Sequence, residues 1–127
     1  MRFALTRIRF AVLGLLFPLV SHAGDAAKGK DIVLARGDGN CLLCHAVPGA
    51  DRTPGNIGPS LAGVASRLSS EEIRNRIVDA SRFNPGSVMP PYGRAEGLHA
   101  VAPQYRGRPL LTAEQIDDAT AYLGTLK

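Results

Sequence analysis

The sequence holds no tryptophan, two cysteines and two methionines in 127 residues. It shows no convincing strand alternation, no internal repeat and no low-complexity tract. Aromatic side chains make up 6% of the chain, and Phe3, Phe10 and Phe17 crowd into its first stretch. Each shortage excludes something. A bridge between Cys41 and Cys44 would close a loop of four residues and restrain little of the unfolded chain, so a disulfide scaffold is excluded. The scarcity of aromatics leaves little bulk for a core, in a domain that hides only roughly 60–70% of its unfolded surface. Small domains of this kind need a staple, and something other than side chains should fill the centre.

The N-terminus explains the uneven composition. Arg2, Arg7 and Arg9 form a basic start, an apolar run (FAVLGLLFPLV) follows, and Ser21 and Ala23 place small residues where a signal peptidase cuts. Residues 1–23 are expected to be a cleaved secretory signal peptide. The apolar run is shorter than the roughly 20 residues a spanning helix needs, and Pro18 interrupts it, so membrane insertion is not expected. The formal charge of +4 belongs largely to this segment. Without its three arginines, 12 basic side chains face 11 acidic ones, and no basic run remains for nucleic acid or a lipid surface. The remaining residues 24–127 make one domain, exported to the periplasm.

The local signals are helical. DAAKGKDIVLAR (residues 25–36) reads as a short helix that Gly37 ends, and SLAGVASR (residues 60–67) as two further turns. Ser69 with Glu72 fits a capping box, and Leu68 with Ile73 a hydrophobic staple, for a helix reaching about Ala80. Thr112 with Gln115 and Leu111 with Ile116 repeat that grammar for a last helix, whose buried face carries Ile116, Ala119, Leu123 and Leu126. The segments 46–58 and 82–109 are rich in proline and glycine and read as long loops. The fold class is all-α.

Cys41, Cys44 and His45 form the motif CxxCH. A disulfide leaves His45 unexplained. A zinc site needs four ligands, usually in two pairs. A thioredoxin-like pair expects a βαβ setting. Covalent haem c fits all three residues: each thiol adds to one vinyl group of the porphyrin, and the next residue aims an imidazole at the iron. One haem c would also supply the missing core, because burying its apolar plate returns about 25 cal/mol per Å².

The second axial position decides between electron transfer and chemistry at the metal. Met1 leaves with the signal peptide, so Met89, in SVMPPYG, is the methionine that remains. Pro90 and Pro91 stiffen the backbone beside it, and an aperiodic loop is a poor place for a core methionine. His45 and Met89 are therefore the expected axial ligands, with His99 as the rival to Met89. With both positions filled, the iron suits electron transfer, and a haem enzyme or gas sensor is disfavoured.

The order CxxCH, IGPSLAGV, a Met-Pro loop and a terminal helix with an aromatic resembles class I cytochromes c over residues 24–127. RGDGNCLLCHAVPG, PGNIGPSLAGV, DASRFNPGSVMPPYG and LTAEQIDDATAYLGTL are similar to the SoxX family, the small monohaem subunits of SoxAX sulfur-oxidation complexes. The class I resemblance implies that the Pro59 carbonyl holds the Nδ1–H of His45, and that the first and last helices cross where Gly29 faces Tyr122. The SoxX resemblance implies a heterodimer with a SoxA-like monohaem or dihaem subunit, which joins thiosulfate to a cysteine of the SoxYZ carrier. The small subunit would take the released electrons to a soluble cytochrome c, with no catalytic residue of its own. A free-standing periplasmic shuttle is the alternative. Residues 101–111 are either partner surface or a solvated loop over a haem edge.

Overall fold

The computed structural model describes residues 23–37 and 39–127, so the expected signal peptide lies outside the described residues apart from Ala23. Among the described residues there are four helices: α1 (Ala26–Leu34), α2 (Val64–Arg67), α3 (Ser70–Asp79) and α4 (Ala113–Leu123), with single 3-10 turns at Cys41–Leu43, Ala80–Arg82 and Pro103–Tyr105. No strand occurs among the described residues. The core gathers one side of each long helix with the loops: Val33 from α1, Ile73 and Ile77 from α3, Ile116, Ala119, Tyr122 and Leu123 from α4, and Leu42, Tyr92 and Leu111 between them.

The packing of α1 against α4 sets the frame. Asp25 caps α1 by accepting from the amides of Ala27 (2.8 Å) and Lys28 (3.3 Å), while its own amide donates to the buried Asp118 carboxylate at 2.6 Å. One cap therefore orders a helix start and ties it to the other end of the chain. Gly29 is buried against the backbone of α4. A Cβ there would collide with the Asp118 carbonyl and come within 3.0 Å of the Ala119 nitrogen. The helices approach as closely as they do because position 29 has no side chain. The closest approach of Gly29 is thus to the Asp118–Ala119 backbone, about one turn before the expected partner Tyr122.

Both capping boxes form: Ser69 with Glu72 at α3 and Thr112 with Gln115 at α4, each worth about 1 kcal/mol or more. Two boundaries differ from expectation. α1 stops at Leu34, before Gly37, because the Arg52 guanidinium donates to the carbonyls of Leu34 (3.1 Å) and Ala35 (3.4 Å) and Ala35 turns extended. Residues 60–67 make only one helical turn, since Gly63 sits at φ 65° and the helix begins after it. The long loop beyond α3 is irregular apart from its two 3-10 turns. Along residues 101–111 most side chains are exposed, Arg108 lies over the Tyr105 ring (5.3 Å), and only Leu111 is buried in the core.

Candidate functional site

The 3-10 turn after α1 winds the motif into one compact coil. Asn40 enters it in the left-handed region (φ 42°), and the amides of Cys44 (3.1 Å) and His45 (2.9 Å) both donate to the Cys41 carbonyl. The two thiols are free, with no disulfide between them. Burial pushes the Cys41 thiol up to about 11, the opposite of what a thiolate nucleophile needs. Among the described residues no cluster of three or more His, Cys, Asp or Glu exists to hold a bare metal ion.

The loop that follows is stitched to this coil by its backbone. Gly55 donates to Leu42 (2.9 Å), Gly58 to Cys44 (2.9 Å) and Leu61 to Ala46 (2.8 Å). The consequence falls on His45, whose Nδ1 lies 2.7 Å from the Pro59 carbonyl. A carbonyl only accepts, so Nδ1 carries the proton and Nε2 keeps a lone pair for a metal. Gly58 lies directly against the ring: a Cβ there would stand 2.6 Å from Nδ1 and 2.8 Å from Nε2.

Met89 comes from a different segment. Asn84 shapes the turn before it, accepting from Gly86 through its side chain (3.0 Å) and from Ser87 through its carbonyl (2.9 Å), and the Ser87 hydroxyl accepts from the Met89 amide at 3.2 Å. Beyond the two prolines, Tyr92 is buried. Its amide donates to Ile77 (3.2 Å), its carbonyl accepts from Leu111 (3.0 Å), and its hydroxyl donates to Gly39 at 2.7 Å. Burial pushes the Tyr92 phenol up to about 12, so it remains a proton donor across the neutral range. Just downstream, Arg94 Nε lies 3.0 Å from the buried Asp79 carboxylate, close enough for ion pairing although not aligned for a hydrogen bond. The Ser81 hydroxyl bond and then the Arg94 charge hold that carboxyl below the usual range.

These segments enclose one cavity of about 680 Å³, lined by Cys41, Cys44, His45, Pro59 and Met89 together. Its walls are aliphatic, including Val33, Ile73, Ile77 and Leu123 from the helices and Leu68 between α2 and α3. Among the described residues no carboxylate lines it, whereas Arg67 and Arg76 do. The space and chemistry fit haem c: its apolar plate would fill the gap between helices, Cys41, Cys44 and His45 line the cavity to hold it, and the two arginines suit its acidic side arms. His99 is exposed and does not line the cavity.

Four contributors escape sequence reasoning. Gly58 is the one signalled locally, by its place in NIGP ahead of Pro59. Arg67, Arg76 and the Tyr92 hydroxyl depend on contacts between distant segments. Nothing in their neighbours announces them.

Comparison with known proteins agrees with this geometry. Residues 26–127 match the cytochrome c family. Cytochrome c-550 of Paracoccus versutus is 35% identical over 86 residues, which are 61% of this chain and 53% of that protein. A cytochrome c-553-like protein of Synechocystis sp. is 40% identical over 55 residues, 43% of this chain and 45% of that one. The chain thus spans about half the length of the curated relatives it matches. Among solved structures, a chain in the crystal structure of SoxXA from P. pantotrophus superposes with a TM-score of 0.76 at 28% identity, covering 86% of both chains. The c-type cytochrome SorU from Sinorhizobium meliloti shares the fold, with a TM-score of 0.51 at 24% identity over 80% of this chain and 88% of that one. With CxxCH, an apolar cavity and a family match over residues 26–127, this chain belongs to the cytochrome c family.

Proposed function

We propose that this chain is the electron-transferring, SoxX-type subunit of a periplasmic SoxAX complex, carrying a single haem c. The observation that carries the reading is the shared cavity lined by CxxCH from one segment and Met89 from another, in a fold similar to SoxXA over 86% of the chain. Cys41 and Cys44 would attach the haem, and His45 and Met89 would hold its iron. Haem c supplies a metal that exchanges one electron. The protein's own residues set the conditions for that exchange. Pro59 holds the Nδ1 proton of His45 and so strengthens donation from Nε2. The aliphatic walls exclude water, and Arg67 and Arg76 offset negative charge at the cavity.

Two filled axial positions suit electron transfer, because the shell around the metal then changes little between oxidation states. The catalytic step, joining thiosulfate to a cysteine of a SoxYZ-type carrier, belongs in this reading to a SoxA-like partner. This chain takes the released electrons and passes them to a small soluble cytochrome c. An apolar rim supports a heterodimer: Ile57, Phe83 and Val88 line the cavity yet are exposed at 67%, 52% and 77%.

Co-expression with a SoxA-type subunit tests the assignment. The two chains are expected to co-purify as a heterodimer that reduces a soluble cytochrome c only when thiosulfate and the carrier are supplied. Elution of this chain as a haem-bearing monomer under those conditions would instead support a free-standing periplasmic shuttle. The match to cytochrome c-550 and to the c-553-like protein is the observation that favours that second reading.

A further inference from the structure

The loop that bears Met89 is held unequally at its two ends. On the upstream side, Phe83, Asn84, Pro85 and Gly86 are exposed, and the turn there is bonded mainly to itself. On the downstream side, Tyr92 is buried and fixed at three points that belong to three different segments: the Ile77 carbonyl of α3, the Leu111 amide ahead of α4, and the Gly39 carbonyl. The third point matters most for the site. Gly39 stands two residues before Cys41, and Asn40 between them is already committed to the left-handed turn that starts the CxxCH coil. The 2.7 Å bond from the Tyr92 hydroxyl is a side-chain link from the Met89 loop to the coil that carries His45, made across 53 residues of sequence. Between Met89 and that anchor stand only Pro90 and Pro91, whose fixed φ angles transmit position with little slack.

We propose that Tyr92 is the positioning residue for Met89, its hydroxyl on Gly39 fixing the spacing between the two segments that hold the haem. The inference rests on the reading of Met89 as an axial ligand. Tyr92 lines the cavity but is not one of the proposed ligands; it acts by holding the thioether in place against competitors. Where the hydroxyl is missing, the ring still fills its pocket, but the loop gains a population in which Met89 is released. An external ligand then binds more tightly in proportion to that population.

The test uses the full haem-loaded protein and imidazole as the competing ligand. Wild-type ferric protein should show the weak red-edge absorption of thioether-ligated haem, and Tyr92→Phe should bind imidazole about tenfold more tightly, the change expected for the net loss of one buried hydrogen bond. The red-edge band of the variant should also vanish at a temperature below global unfolding. Arg74→Gln is the control: it removes the 2.7 Å contact between Arg74 and Asp117, which joins α3 to α4 away from the cavity. That variant should lose stability with imidazole affinity unchanged. Should Tyr92→Phe fail to accumulate, 4-aminophenylalanine at position 92 keeps a weaker donor and should give the same tightening in smaller amplitude. Unchanged imidazole affinity in the position-92 variant, or equal tightening in Arg74→Gln, overturns the role of Tyr92 while leaving Met89 in place. Absence of the red-edge band from the wild type removes the Met89 reading itself, and this inference with it.

Discussion

The coil that carries Cys41, Cys44 and His45 and the loop that carries Met89 line the same cavity, yet they are built differently. The first is stitched to residues 55–61 by three backbone hydrogen bonds and by the contact of His45 with Pro59. The second is mostly exposed and depends on an anchor at Tyr92 and two prolines. One side of the site is therefore rigid through its own backbone, and the other is rigid by attachment. That division suits a carrier whose haem must never leave but whose second ligand sets the properties of the iron.

Substituting the two proposed ligands should break this comparison most visibly. His45→Ala is expected to prevent accumulation of haem-loaded protein, because the coil loses both its metal donor and its bond to Pro59. Met89→Ala should still be isolated with haem attached, but without the red-edge band, with a lower potential and with new binding of carbon monoxide to the ferrous form. Absorption spectra and a redox titration check both. Equal loss of haem in the two variants would erase the distinction drawn between the segments.

A smaller effect is expected beneath the imidazole. Gly58→Ala places a methyl group 2.6 Å from the Nδ1 position of His45, so the ring or the loop must move. Overpacking of this kind costs about 1–3 kcal/mol, which a urea midpoint would report. The spectrum should shift with it, since tilting His45 disturbs its bond to Pro59. A stability loss without any spectral change would show that the loop yields rather than the ligand.

The smallest effect is on pH. Asp79, held by Ser81 and faced by Arg94 and Arg82, has its carboxyl below the ordinary range in the folded chain. Its contribution is therefore fully present above the unfolded carboxylate value of about 3.9 and is lost as pH falls through the folded value. Because Arg94 lies just beyond Tyr92, acid should loosen the Met89 side of the site before the coil. Urea midpoints on acidification should fall less steeply in Asp79→Asn than in the wild type.

What was legible in the sequence was mostly local. Ser69 with Glu72 and Thr112 with Gln115 announce their helices because a capping box is complete within four residues. CxxCH is legible for the same reason, as is the all-α class. The end of α1 was not, since it is set by Arg52 reaching back to Leu34 rather than by the nearby Gly37. The brevity of α2 follows from the backbone of Gly63, whose left-handed conformation no neighbour dictates. The Tyr92 hydroxyl bond and the arginines of the cavity belong to tertiary structure, and a single sequence carries no mark of them. The expectation that the chain does not insert in a membrane rests on residues 1–23, of which the structure describes only Ala23; among the described residues, no helix is long and apolar enough to cross a membrane.

The seam between Gly29 and the Asp118–Ala119 backbone has a consequence for the order of events in making the protein. A chain grows from its N-terminus, so α1 and the CxxCH coil exist well before α4 is synthesised. Leu111, Ala119 and Leu123, which close the cavity, come last. Pairing the two ends of the chain is a long-range closure, and it can be made only once the last helix is present. Until it forms, Cys41 and Cys44 stand in an open groove. Because the cavity closes only when that seam is made, the unfinished chain has a window in which its thiols are accessible.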